Sequence, residues 1–454
     1  MSNILLQRLS EVVGSDNVIT EGLEEYSSDM ADFKGRPIAV IRPANEVEVA
    51  RIVKIAASHK IPIVPRGAGT SLTGASIASD SLMLDMRRMN KIVNVDVYNS
   101  YVRAQAGVIL DDLNKELAKK GFFFPPDPAS SFLCTVGGAV AEGSGGFRCV
   151  KYGTMKDWVL AVRVVLSNGE IVQFGEPLAK NRAGYDLTHL VVGSEGTLCI
   201  VTEAYLKILP LPSEKIQRVV AQFDDWADAS KVIISLKESR IIPVLLEFMD
   251  KLTVSAVNSM TNSTYAEAEA TLIVDINDHD LPRFLDIAKS NNAIDIHVAS
   301  SQEEADEIYN MRAFAFLAVK RLATGVQVED VVVPIHLLFS YLMKVKEVAK
   351  RHSLSIPVNG HAGDGNVHPV ILYNAEEPKS RMEAQAAFEE ICRYAISIGG
   401  SITGEHGIGI QKAKLLREQL ELHNGIETLR LMKEIKTVFD PLHIFNPGKY
   451  VEVS

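Results

Sequence analysis

Cysteine is scarce in this 454-residue chain, and its four cysteines, Cys134, Cys149, Cys199 and Cys392, lie far apart. No two of them form the CxxC pair typical of zinc sites and iron–sulfur clusters, and their spacing is unlike that of disulfide-rich secreted domains. The sequence therefore predicts a protein of a reducing compartment, the cytoplasm, with attachment at a membrane surface left open.

Clusters of positive charge and long apolar runs are also missing. The chain has 47 Lys and Arg against 57 Asp and Glu, a net charge of −10, and no basic run. Nucleic-acid binding draws its affinity from clustered Lys and Arg, so we expect no nucleic-acid partner. No apolar stretch reaches the length of about 18 residues that a transmembrane helix needs. Residues 1–14 place Arg8 and Glu11 among apolar residues at helical spacing, which is unlike a signal peptide.

The length and composition are those of a folded protein of two or three domains. Strand and helix signals alternate from residue 38, and the Pro-Leu-Pro-Ser segment at 210–213 predicts a domain boundary. Beyond it the elements follow a β-α-β-β-α-β order, which is typical of an antiparallel sheet with helices on one face. The sequence thus predicts an α+β protein with domains at 1–212 and 213–409, and a helical segment at 410–454 that returns to the first domain.

A glycine-rich loop, Pro-Arg-Gly-Ala-Gly-Thr-Ser-Leu-Thr-Gly, follows the strand predicted at 61–65. Its consecutive backbone N–H groups and hydroxyls suit a pyrophosphate. A Rossmann turn is one alternative, because Gly67-x-Gly69 begins that fingerprint and Asp85 lies near the position of the ribose carboxylate. A Rossmann crossover needs a helix of roughly ten or more residues, and only residues 76–81 separate this loop from the next strand. A purely structural turn remains the other alternative.

Two further glycine clusters follow, at 137–146 and 193–196. Glycine has no side-chain bulk, so three such loops that return to one sheet indicate backbone lying close along an extended ligand.

These segments resemble the flavin domain of the vanillyl-alcohol oxidase family, which has the p-cresol methylhydroxylase fold. Within it they are similar to the branch of FAD-linked D-2-hydroxy acid dehydrogenases and glycolate oxidase catalytic subunits, and the resemblance covers nearly the whole chain. It implies an FAD-binding domain of two α+β subdomains and an antiparallel-sheet substrate (cap) domain. It also implies contacts along FAD from Arg66, Gly67, Gly69, Thr70, Ser71, Gly74, Pro128, Ser130, Thr135, Gly138, Ser144, Gly196, Val201 and Asn446. Some relatives attach FAD through a histidine of the first loop, but none occurs between His59 and His189, so noncovalent FAD is expected.

The segment Val-Asn-Gly-His-Ala-Gly-Asp-Gly-Asn-Val-His-Pro-Val contains a hairpin signal at Asp364 and Gly365. If these two residues form the turn, His361 pairs with His368, and opposed side chains have Cβ atoms about 4.5–5.5 Å apart. Two such imidazoles can chelate one ion, and Glu405 in the Gly-Glu-His-Gly segment offers a third ligand. The alternative is a histidine pair packed for shape alone.

The family resemblance implies roles for these residues. It makes His361, His368 and Glu405 ligands of a divalent ion, His406 the catalytic base, and Arg312 the anchor of the substrate carboxylate. Nitrogen and oxygen ligands suit zinc, manganese or iron, so the sequence does not distinguish between these three metals.

Three departures from the family pattern reduce the range of substrates that we expect. Relatives that act on 2-hydroxyglutarate have polar residues where this chain has Phe316, Val328 and Val370. A second carboxylate of the substrate would find no polar side chain at these three positions, so a short monocarboxylate is expected.

The resemblance therefore implies an FAD-dependent dehydrogenase of a short D-2-hydroxy acid, with lactate and glycolate both open. Relatives pass electrons to an electron-transfer flavoprotein, an iron–sulfur subunit, a cytochrome or a quinone, and a homo-oligomer and a subunit of a complex are both compatible with the sequence. Two alternatives are an enzyme of the alkyl-dihydroxyacetone-phosphate synthase type and a non-catalytic FAD subunit of an electron-transfer assembly.

Overall fold

The computed structural model describes residues 3–452, and it divides into two compact units. Unit 1 consists of Met1–Gly145, Thr154–Leu211 and Glu405–Ser454, and unit 2 consists of Gly146–Gly153 and Pro212–Gly404. The main division lies one residue before the predicted boundary.

Two segments differ from the predicted division. Gly146–Gly153 was placed with the first domain but belongs to unit 2, where the Phe147 ring packs against Tyr309 at 5.1 Å. Residues 405–409 were placed with the second domain but belong to unit 1, where the N–H groups of Ile408 and Gly409 donate to a buried carboxylate.

The first sheet of unit 1 has four strands, in the order Val18–Ile19, Ala39–Ile41, Leu82–Asp85 and Ile63–Arg66. The last three are parallel, and residues 67–81, which join Ile63–Arg66 to its neighbour, contain no helix. The chain therefore lacks the crossover of a Rossmann unit, as the spacing predicted.

Helices Asn3–Val13 and Glu46–Ser58 pack on this sheet. Asn45 begins the second helix, because its side chain accepts from the N–H of Glu48 at 3.0 Å. Apolar residues at helical spacing form the buried face that joins the core: Val49, Ile52, Val53 and Ala56.

The second sheet of unit 1 is antiparallel and has five strands. Their order is Ile92–Asp96, Tyr101–Gln105, Ile200–Lys207, Val159–Val165 and Ile171–Gly175. The helices that accompany it are Leu110–Ala118, Val136–Glu142 and Leu187–Val191. The short strands Phe122–Phe123 and Leu209–Pro210 pair with each other. These two sheets are the two α+β subdomains that were predicted.

The carboxyl-terminal part of unit 1 contains helices Ala413–His423 and Ile426–Phe439. After them the chain runs beside the first sheet, since Ile63 N donates to Ile444 O at 2.7 Å and Asn446 N donates to Ile63 O at 2.8 Å. Lys436 joins this segment to a glycine loop, because its fully buried Nζ donates to Thr197 O at 2.7 Å, Phe445 O at 2.8 Å and Asp440 Oδ2 at 2.6 Å.

Unit 2 is built on an eight-stranded sheet. Four strands run in the order Asp295–Val298, Ile216–Phe223, Ala270–Asn277 and Leu245–Asp250, with antiparallel neighbours. This is the predicted split β-α-β arrangement. The sheet continues with Val358–His361, Asn366–Tyr373 and Gly325–Val328, and Val331–Val332 also pairs with Asn366–Tyr373.

The helices of unit 2 are Cys149–Tyr152, Trp226–Glu238, Lys251–Thr261, Leu281–Ser290, Gln302–Ala313, Ala315–Lys320, Leu338–His352 and Pro378–Ser397. Gln302–Ala313 and Ala315–Lys320 follow each other directly and are separated only by Phe314. Lys251–Thr261 was not predicted; Asp250 caps it by accepting from Thr253 N at 2.8 Å. None of the helices among residues 3–452 is long and apolar enough to cross a membrane.

The buried Lys436–Asp440 pair yields a test of how unit 1 is held together. Lys436→Met removes the cation and leaves the Asp440 carboxylate buried without it, so we expect the free energy of unfolding to fall by about 3–5 kcal/mol in chemical denaturation. Arg430→Met is the control on the same helix, because its ion pairs with Glu427 and Glu434 are exposed to solvent and their loss leaves no charge buried without a partner. Equal losses for the two variants would show that the buried pair does not hold the segment.

Candidate functional site

The three glycine-rich loops meet within unit 1. A Cβ added to Gly67 would lie 2.2 Å from Thr135 Oγ1, and one added to Gly196 would lie 2.6 Å from Pro65 Cγ. Only residues without side chains allow these loops to approach so closely. The loops therefore lie close together in unit 1, as expected for an extended ligand.

The first loop leaves its backbone donors available. Among the described residues, the N–H groups of Ala68, Gly69, Thr70 and Ser71 make no hydrogen bond, and all four residues are half-buried. Consecutive N–H groups of this kind form a nest for an anion. These residues therefore fit the diphosphate of FAD.

Two predicted FAD contacts are used by the protein itself. Arg66 lies beneath the loop, where Nη2 donates to Ser28 O at 2.8 Å and Nη1 donates to Ser76 O at 3.3 Å. The N–H of Gly74 donates to Asp29 Oδ2 at 2.9 Å, and burial raises the pKa of Asp29 to about 6. Both residues shape the loop, and their contact with FAD stays a prediction.

The other predicted FAD residues also lie in unit 1. Thr135 caps the helix Val136–Glu142 by accepting from Gly138 N at 3.3 Å, and the Ser71 hydroxyl donates to Glu142 Oε1 at 3.2 Å. Pro128 and Ser130 form a turn, Ser144 is buried after the helix, and Val201 is buried in Ile200–Lys207.

Asn446 connects the tail to two of the loops. Its Nδ2 donates to Ala75 O at 2.9 Å and to Glu195 O at 2.6 Å. Asn446 thus positions the loops, and its contact with FAD stays a prediction.

The histidine hairpin of unit 2 has a register different from the predicted one. His361 pairs with Asn366 and His368 pairs with Asn359, so the loop has four residues, 362–365, instead of two. The loop packs closely against Val333 and requires glycine at 365, because Gly365 has φ +83° and a Cβ there would lie 2.3 Å from Val333 O.

Both histidines nevertheless face the same side of the sheet. Residues two apart on neighbouring strands share a face and remain within reach of large side chains. The imidazole centroids of His361 and His368 are 5.1 Å apart with an interplanar angle of 84°, and both residues are buried. The predicted closeness of the two rings is therefore correct, although the pairing that was expected to produce it is wrong.

Glu247 connects His361 to Arg312. It lies on Leu245–Asp250, the strand beside the hairpin, and is fully buried. One oxygen, Oε1, lies 2.7 Å from His361 Nδ1, and Oε2 accepts from Arg312 Nε at 2.7 Å. Sequence reasoning missed Glu247, although a single carboxylate within the apolar segment Leu-Leu-Glu-Phe-Met was a usable signal.

Arg312 is buried near the end of the helix Gln302–Ala313. Its guanidinium carbon lies 5.2 Å from the Phe147 ring centroid, and the same ring meets His361 edge-on at 5.4 Å. Within residues 3–452, Nη1 and Nη2 of Arg312 make no hydrogen bond. These two nitrogens, which can donate together to the two oxygens of one carboxylate, are therefore available to a ligand.

Asp330 is a second buried carboxylate beside the hairpin, and no sequence motif pointed to it. Its Oδ1 lies 3.7 Å from His368 Nδ1 and accepts from Asn366 Nδ2 at 2.8 Å. Its Oδ2 accepts from the Thr403 hydroxyl at 2.6 Å and from Gly404 N at 3.0 Å. Asp330 and His368 offer ligand atoms within 4.8 Å of each other, and His361 is not part of that group. One imidazole and carboxylate oxygens fit zinc, manganese or iron.

Glu405 and His406 follow Gly404 directly and begin the last segment of unit 1. Glu405 Oε1 lies 3.6 Å from His406 Nε2, and His406 O accepts from the Thr73 hydroxyl at 3.3 Å. Glu195 secures the loop, since its two oxygens accept from Ile408 N at 2.6 Å and Gly409 N at 2.8 Å. Burial raises the pKa of Glu195.

Comparison with known families matches both parts of the sequence. Residues 37–175 match the family described as FAD binding domain, and residues 212–450 match FAD linked oxidases, C-terminal domain.

Several relatives are similar over nearly the whole chain. Glycolate oxidase subunit GlcD of Bacillus subtilis is 37% identical over 98% of this chain and 96% of its own length. D-lactate dehydrogenase of Anaerostipes hadrus is 32% identical over 98% of this chain and 96% of its own. D-lactate dehydrogenase of Archaeoglobus fulgidus is 34% identical over 91% of each chain.

Solved structures extend the likeness to the fold. p-Cresol methylhydroxylase superimposes with a TM-score of 0.81 over 99% of this chain and 96% of its own, at 18% identity. Alkyldihydroxyacetonephosphate synthase gives 0.76 over 98% of this chain and 85% of its own, at 20% identity. These likenesses concern the fold alone, and they confirm the predicted p-cresol methylhydroxylase type. The sequence matches support FAD as the cofactor, and this chain belongs to the family of FAD-linked oxidases.

Proposed function

We propose that this protein oxidises a short D-2-hydroxy acid, lactate or glycolate, to the 2-oxo acid with FAD as the electron acceptor. The observation that carries the proposal is Arg312, a buried cation whose Nη1 and Nη2 make no hydrogen bond within residues 3–452. Two histidines and two carboxylates lie in the same part of unit 2, so an acid with a hydroxyl next to its carboxylate suits them. The names of the relatives, glycolate oxidase subunit and D-lactate dehydrogenase, point to the same substrates.

Arg312 would bind the substrate carboxylate through Nη1 and Nη2, because a guanidinium presents two parallel donors to a carboxylate. The ring of Phe147 supports the guanidinium plane, and Glu247 fixes its other edge. The substrate would therefore be held in one orientation.

The nest at residues 68–71 would bind the FAD diphosphate, with the predicted contacts of the neighbouring loops along the cofactor. FAD, when bound, supplies the acceptor for the hydride that leaves C2 of the substrate. No histidine lies in the first loop, so we infer noncovalent attachment.

The hydroxyl proton would pass to His406, whose loop is held by Thr73 and Glu195. Imidazole suits this role near neutral pH. We infer that His361, His368 and Glu405 hold a divalent ion, and Asp330 adds a ligand candidate beside His368. The N–H of Gly404 donates to Asp330 Oδ2. The residue directly before Glu405 is therefore fixed at this carboxylate. The ion, when bound, would lower the pKa of the substrate hydroxyl.

Val328 and Val370 support a small substrate. They pair directly across neighbouring strands, are buried, and belong to the apolar core that Phe316 also contacts. Unpaired charge is costly in such surroundings, so a second carboxylate would be excluded here.

Electrons would leave FAD for an external acceptor, such as an electron-transfer flavoprotein, an iron–sulfur subunit, a cytochrome or a quinone. The free cysteines support an external route because they are dispersed. We place the reaction in the cytoplasm, in accord with these cysteines.

Arg312→Lys tests the carboxylate anchor. An ammonium cannot reproduce the paired contact, so kcat/KM for D-lactate should fall by the equivalent of about 1–3 kcal/mol. Arg218→Lys is the matched control, because Arg218 also pairs with a carboxylate, Asp275, and lies 5.2 Å from an aromatic ring, that of Tyr309. Steady-state kinetics that are the same for Arg312→Lys and the wild type would remove Arg312 from the site.

Metal removal tests the proposed ion site. Chelation should abolish reduction of the flavin by D-lactate while leaving the flavin absorbance nearly unchanged, because none of the proposed metal ligands is among the residues proposed to bind FAD. Addition of zinc, manganese or iron should restore the reaction. His368→Ala should lower bound metal measured by elemental analysis, whereas His352→Ala, which removes a histidine bonded to Glu383, should not. A metal-free sample that is reduced at the native rate would rule out the ion.

A further inference from the structure

We propose that Glu247 is a positioning residue of this site, and that its single carboxylate fixes both the Arg312 guanidinium and the tautomer of His361. The inference rests on the proposed function, since it concerns how the substrate anchor and a proposed metal ligand are oriented.

The geometry assigns one oxygen of Glu247 to each partner. Oε2 accepts from Arg312 Nε at 2.7 Å, and Oε1 lies 2.7 Å from His361 Nδ1. An ionised carboxylate can only accept hydrogen bonds, so His361 Nδ1 must carry a proton. The neutral imidazole then has its lone pair at Nε2, the atom that would bind an ion.

Charge and burial make this arrangement rigid. The Glu247 side chain is 0% exposed and that of Arg312 is 6% exposed, so little water competes for the hydrogen bond between them. A buried charge that loses its partner is strongly unfavourable. The Phe147 ring packs against both Arg312 and His361 and limits movement of the two side chains.

The strand gives Glu247 no other evident function. Its neighbours Leu246 and Phe248 are buried and apolar, and its cross-strand partner is Ile273. A position among such residues ordinarily favours an apolar side chain. The hydrogen bonds to Arg312 and His361 explain why a carboxylate occupies this position.

Glu247→Gln separates positioning from simple core stability. The amide has nearly the same shape but only one accepting oxygen, which the permanently charged Arg312 would retain. The amide nitrogen would then donate to His361 Nδ1, and the imidazole proton would move to Nε2. A role limited to stability predicts no such transfer.

The tautomer can be read without substrate, metal or activity. Long-range proton–nitrogen spectra of the full-length, metal-free protein with isotope-labelled histidine distinguish a protonated Nδ1 from a protonated Nε2, and His361→Gln identifies the signal. We expect protonated Nδ1 in the wild type and in Glu247→Asp, which keeps the carboxylate, and protonated Nε2 in Glu247→Gln. Glu304→Gln is the control, because Glu304 bonds to a different histidine, His297, and should leave the His361 signal unchanged.

Kinetics provide the second readout. Glu247→Gln should lower kcat with D-lactate by about 10- to 100-fold, as expected when the partner of a metal ligand is changed. KM should change less, because the amide still accepts from Arg312. Glu247→Asp should recover part of kcat.

Each result has a separate meaning. Unprotonated Nδ1 in the wild type would overturn the inference even if Glu247→Gln fails to fold, and so would an unchanged tautomer in Glu247→Gln. A wild-type protein that oxidises no 2-hydroxy acid would overturn the proposed function and leave the tautomer result standing.

Discussion

Charges removed from water have to be paired within the protein, and the positions of the candidate site residues depend on that constraint. Glu247 is buried with Arg312 and His361 around it. In unit 1, Lys436 pairs with Asp440, and Glu195 accepts from two backbone N–H groups. Such pairs add little net stability relative to apolar packing, but breaking one is costly, so they fix side chains in a single arrangement.

In unit 1, the close approach of the glycine-rich loops is a second constraint on the site. The first loop can present its N–H groups only because its neighbours approach without side chains, as at Gly67 and Gly196. This was predictable from the sequence, since three glycine clusters after predicted strands already indicated an extended ligand. The sheet order in unit 2 was predictable for a similar reason, because the order of strands and helices leaves few topologies.

Other features depended on contacts between residues distant in sequence. The Asp-Gly pair at 364–365 locally favours a two-residue turn, but the N–H of Val333 donates to Gly365 O at 3.0 Å and a longer loop results. Arg66 stands in a cofactor motif, yet its donors reach carbonyls of residues 28 and 76. The proximity of Glu247 and Asp330 to the hairpin histidines appears only once the chain is folded, because Glu247 lies on the strand beside the hairpin and Asp330 directly precedes the strand Val331–Val332, which pairs with it.

Together these constraints describe an FAD-linked oxidase, and the proposed site would hold one small carboxylate in a fixed orientation. The proposed function is tested most directly by the anaerobic change in flavin absorbance after addition of D-lactate, L-lactate, glycolate or D-2-hydroxyglutarate to the purified protein. D-Lactate or glycolate should bleach the flavin rapidly, whereas L-lactate and D-2-hydroxyglutarate should bleach it little. Unchanged flavin absorbance with both D-lactate and glycolate, or faster bleaching by D-2-hydroxyglutarate than by either, would contradict the proposed function.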